Sequence, residues 1–89
     1  MFADLPGGDL VDQGLADLAH GAETVPALLV SIGAPRLRRC GIAVPRAIPT
    51  PEHRLYALLA AEDSDAAHGR YNALVRRLVS FERAAECAS

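Results

Sequence analysis

Lysine and tryptophan are both missing from this chain of 89 residues, and each absence narrows what the chain can be. Without lysine there is neither a Walker A phosphate loop nor a pyridoxal Schiff base, because both need an amine at a fixed place. Without tryptophan, and with only two Phe and two Tyr, a core must be thin and aliphatic, which suits closely packed helices better than a β-sandwich. Cys40 and Cys87 stand far apart with no Cys-x-x-Cys spacing, which excludes the usual thiolate zinc sites and a disulfide framework. Nowhere do 18 apolar residues run together, and Met1, Phe2, Ala3 and Asp4 form neither a basic leader nor a long apolar one. No membrane span and no signal peptide are expected, and the expected compartment is the cytoplasm.

What the chain does have is alanine, leucine and arginine. All nine basic residues are Arg, a bias that a GC-rich coding sequence explains as well as any function does. The charges are unevenly laid out. Residues 1 to 30 carry five acids and no base, and residues 31 to 54 carry five Arg against Glu52 alone. The basic middle, Arg36, Arg38, Arg39 or Arg46, is expected to pair with Asp12, Asp17 or Glu23 of its own chain or of a second copy.

Gly and Pro punctuate a helical pattern that predicts an all-α fold, a small four- to five-helix bundle forming one domain over residues 1–89 with residues 1–8 flexible. Asp9 is expected to cap a first helix with Val11, Leu15 and Leu18 on its inner face, stopping at Gly21. Thr24 should cap a second, with Pro26 in its first turn and Gly33 at its end. A short third is expected from Pro35 to Cys40, before Gly41. From about 42 to 50, Pro45 and Pro49 predict an ordered Pro-rich strap docked by Ile42, Val44 and Ile48. Thr50 and Pro51 open another helix, turning Leu55, Leu58, Leu59 and Tyr56 inward. After the Asp63-Ser64-Asp65 turn comes a long C-terminal helix, from about Asp65 to Glu86.

No motif carries chemistry. His20, His53 and His68 share no i, i+4 pair, and Asp63, Asp65 and His68 are better read as helix capping than as metal ligands. None of the hydroxyls, Ser31, Ser64, Ser80, Ser89, Thr24 and Thr50, sits in a Gly-x-Ser-x-Gly elbow. No catalytic residue, metal site or cofactor is assigned.

Two stretches point instead to binding. The last helix repeats Tyr71, Leu74, Leu78, Phe81 and Ala85 at spacings of 3, 4, 3, 4, a coiled-coil seam unless it simply faces the chain's own core. Read as a seam, it makes Tyr71, Leu74, Leu78 and Phe81 the anchors of a homodimer or of a protein partner. The other stretch is the arginine cluster Arg36, Arg38, Arg39 and Arg46, which in a DNA-binding regulator would meet nucleic acid. Its helix is short for a major groove, and it lacks the aromatic residues that stack on single strands. The expected function is therefore a small helical interaction or accessory protein, with a DNA-binding regulator as the alternative.

Overall fold

Helix α2 is the element on which the other three assemble. The computed structural model describes residues 1–88, with α1 at Gly8–Ala19, α2 at Val25–Arg39, α3 at Pro51–Glu62 and α4 at Ala67–Ala88. Among the described residues there is no strand, and Ser89 lies outside them. α1, α3 and α4 each pack on α2, and α3 also packs on α4. No helix is long and apolar enough to cross a membrane among those residues.

α2 begins as the sequence predicts. Thr24 has extended backbone, and its hydroxyl accepts the Ala27 N–H at 3.2 Å, with Pro26 in the first turn. It does not stop at Gly33, and the expected third helix from Pro35 is its continuation to Arg39. Gly33 is there for packing: a β-carbon on it would stand 2.9 Å from a Leu78 methyl and 3.0 Å from a Glu82 oxygen. Pro35 removes one N–H from the ladder, yet Ala34 and Leu37 on either side are fully buried. Their burial outweighs one lost hydrogen bond. The true stop is Gly41, left-handed at φ 86. Its N–H donates to the Arg38 carbonyl and that of Ile42 to Leu37, both at 3.0 Å, the paired reverse bonds of a Schellman ending. α1 ends in the same way at Gly21.

Asp9 does not cap α1. Gly7 holds that position in a left-handed conformation, with no side-chain cap, and Asp9 sits in the first turn, where its charge suits the helix N-terminus. Ahead of α1, Phe2 makes two contacts with the helices. The Phe2 N–H donates to Asp12 at 2.8 Å, and the Phe2 ring meets Phe81 edge-on at 5.5 Å.

Two apolar clusters share α2. One gathers Val11, Leu18, Ala27, Val30, Ala34, Leu37, Val44 and Phe81; the other gathers Leu28, Leu29, Leu55, Leu59, Ala67 and Leu78. Between Cys40 and Pro51 the chain forms neither helix nor strand. Ile42, Ala47 and Ile48 nevertheless pack on the first cluster, and the Ile48 N–H donates to the Ser31 hydroxyl at 3.0 Å. That hydroxyl in turn donates to the Ala27 carbonyl at 2.9 Å, so one buried serine ties this segment to α2. Thr50, left-handed at φ 46, precedes α3 without capping it. The cap of the next turn is Asp63, whose Oδ1 accepts the N–H groups of Asp65 and Ala66.

Candidate interaction surface

The seam residues of α4 divide into two kinds. Phe81 and Leu78 are buried in the chain's own core at 0% and 3% exposure, so while this fold stands neither can anchor a second chain. Tyr71 and Leu74 are half-buried and pack on the second cluster. α4 packs on α2 and α3, and Phe2 covers Phe81.

The same helix nevertheless keeps an open flank. Tyr71, Val75 and Val79 follow one another at i, i+4 and i+8, an oblique ridge beside the buried seam. All three are half-buried, and Val75 and Val79 belong to neither core cluster. At the top of the ridge Tyr56 of α3, expected to face inward, stands 40% exposed, its ring 5.8 Å from that of Tyr71. Burial pushes the Tyr71 hydroxyl up, and the charge of Glu52 adds to the effect.

Beside this ridge lies a charged cluster that the seam pattern hides. Glu82 falls four residues after Leu78, on the inner side of α4, and is only 4% exposed. Burial raises its pKa, opposed by Arg36, whose Nη1 lies 3.6 Å from Oε1. Arg36 binds Glu86 more closely, Nε to Oε1 at 2.6 Å and Nη2 to Oε2 at 3.1 Å, and this bond holds the Glu86 carboxyl below its usual range.

The other arginines of the basic segment divide similarly. Arg38 donates to the Val44 carbonyl at 3.0 Å. Arg39 is exposed and close enough to act on both Glu82 and Glu86. Arg46, left-handed at φ 50, is exposed. The expected partners in the first helix are engaged elsewhere. Asp12 accepts from the Met1 amine and the Phe2 N–H, Asp17 from Thr24 and Gln13, and Glu23 pairs with Arg54 at 3.3 Å. Asp9 pairs with Arg77 of α4 at 3.0 Å. Pairing within the chain thus exists, with the C-terminal glutamates as the acids that Arg36 uses.

Among the described residues no three His, Cys, Asp or Glu side chains are placed to hold a metal ion, and His68 lies against Asn72, ring nitrogen to amide nitrogen 3.2 Å. A shallow groove of about 360 Å³ is lined mostly by apolar side chains, from Met1, Phe2, Leu15, Ile42 and their neighbours, together with Cys40. Cys40 follows the C-terminus of α2.

Comparison with protein-family models, with curated proteins and with solved structures returns no match.

Proposed function

We propose that the chain is a small helical interaction protein that works by binding another protein chain, a second copy or a different one, through the open flank of α4. The observation that supports this is the exposed Tyr56, its ring tilted against that of Tyr71 at the head of Val75 and Val79. Tyrosine brings large contact area and a polar tip at low entropic cost, which is why it is enriched where proteins meet. This flank replaces Leu78 and Phe81 as the contact surface and keeps Tyr71 of the original seam.

DNA binding through Arg36, Arg38, Arg39 and Arg46 is the weaker reading. Arg36 is occupied by Glu82 and Glu86, Arg38 by a carbonyl, and α2 runs through Pro35 without the turn that a helix-turn-helix needs.

A photo-crosslinking amino acid at position 76, next to the ridge, and another at position 16, on the exposed side of α1, test the reading in cells. Position 76 should give a protein adduct that position 16 does not, and Val75→Asp should abolish it. An adduct of twice the chain mass identifies a second copy. Equal or absent adducts at the two positions would overturn the proposal.

A further inference from the structure

The charges around the open flank point to what covers it: we propose that this surface receives an acidic amphipathic helix from a different protein. The inference rests on the interaction reading above and names the chemistry of the partner. Along the ridge the next residue after Tyr71, Val75 and Val79 is Arg83, and the adjacent row carries Arg76. Both are exposed, and neither forms an ion pair within 4.0 Å among the described residues. On the other edge Arg36 holds Glu82 and Glu86, with Arg39 beside them. Four arginines therefore frame the C-terminal part of the flank against Glu82 and Glu86, on which Arg36, Arg39 and, at Glu86, Arg83 already act, while Glu52 stands near Tyr71 at its head.

This arrangement selects among occupants. A second copy of α4 would bring its own Arg76 and Arg83, the same two cations, to the interface. Like charges so placed are destabilising, and Glu86, which could relieve them, is bound by Arg36 at 2.6 Å. A nucleic acid would satisfy the arginines but leave Tyr71, Val75 and Val79 against a phosphate backbone with no apolar counterpart. A helix with apolar residues at i, i+4 and i+7 and acids on both shoulders satisfies ridge and rim together, the helix-in-groove mode of recognition. From Tyr71 to Arg83 the surface runs roughly 18 Å at 1.5 Å per residue, so a partner helix of about 12 residues covers it.

The test uses the isotope-labelled chain and two synthetic amphipathic helical peptides with identical leucine positions, one flanked by Glu and one by Lys, followed by nuclear magnetic resonance titration. The Glu peptide should shift Tyr71, Val75, Val79, Arg76 and Arg83, bind at least about tenfold more tightly than the Lys peptide, and weaken as salt is raised. The double variant Arg76→Glu, Arg83→Glu should reverse that preference while keeping its circular dichroism. Equal binding of the two peptides at the ridge, or self-association through it, overturns the acidic partner and leaves the interaction reading intact. Shifts by duplex DNA at the arginines alone point to nucleic acid and overturn both. So does silence of the ridge toward every probe when Val75→Asp also leaves the crosslink unchanged.

Discussion

At position 82 a glutamate occupies a place that the spacing of its helix reserves for an apolar side chain, and its charge is tolerated because Arg36 lies 3.6 Å away. Burial puts its folded-state pKa above its ordinary value of 4.5. Between those two values the folded chain holds more protons than the unfolded one, so this group makes stability fall as pH rises through the window. Glu86 acts in the opposite sense. Arg36 lowers its pKa, and its contribution is present above the unfolded value and lost as pH falls through the folded one. Glu82→Gln removes only the first effect, since Arg36 keeps Glu86. The stability of the variant relative to the native chain should therefore rise as pH is raised above 4.5 through the window, as read by urea unfolding at each pH. A flat difference would mean that Glu82 titrates as it does in the unfolded chain. Phe81 illustrates the other use of a buried position: Phe81→Ala should cost about 3–5 kcal/mol in the same assay, and Phe81→Asp should unfold the chain, which a purely intermolecular anchor would not do.

The glycines of the helices separate close packing from chance at the scale of the element. On Gly14 of α1 a β-carbon would run into the Pro26 carbonyl and a Val30 methyl of α2, so Gly14→Ala must spread two helices and should cost about 1–3 kcal/mol or more. Gly69 of α4 meets nothing within 4 Å, and Gly69→Ala should stabilise by about 0.5–1 kcal/mol. Thermal unfolding of the two variants should move in opposite directions. Pro35→Ala restores an N–H to α2 on its exposed side and should raise stability, by up to about 3 kcal/mol; no gain would mean that the helix is broken there after all. Such elements also explain what was legible in the sequence. Thr24, Gly21 and Gly41 mark boundaries through local chemistry that needs no partner, so they could be read directly. Gly33 and Pro35 look like the same punctuation, but Leu78 and Glu82 come from a helix some 45 residues further on, and no local pattern discloses that approach. The heptad spacing of α4 correctly located a buried face. It could not say whose core that face enters, because Phe2, which covers Phe81, lies at the other end of the chain.

The whole molecule, 38 × 24 × 19 Å, is two clusters joined along one helix, and this raises the question of whether it unfolds as one unit. α2 gives Ala27, Val30, Ala34 and Leu37 to the first cluster and Leu28 and Leu29 to the second. Neither cluster can come apart without stripping one side of the same helix. The two tyrosines provide a local probe, since Tyr71 packs on the second cluster and Tyr56 lies against it, while circular dichroism reports all four helices. Phe2→Ala acts only on the first cluster. It removes an edge-on contact to Phe81 and part of the cover of that residue, and should cost about 1–3 kcal/mol. If α2 couples the clusters, this distant substitution lowers the denaturation midpoint seen by tyrosine fluorescence as much as the one seen by circular dichroism. Leu59→Ala, in the second cluster, should do the same to both probes, and the double variant should show the sum of the two costs within about 0.5 kcal/mol, because the sites share no contact. Two separated transitions, with the tyrosine signal unmoved by Phe2→Ala, would divide the chain into two independently stable halves and deprive α2 of the central part assigned to it.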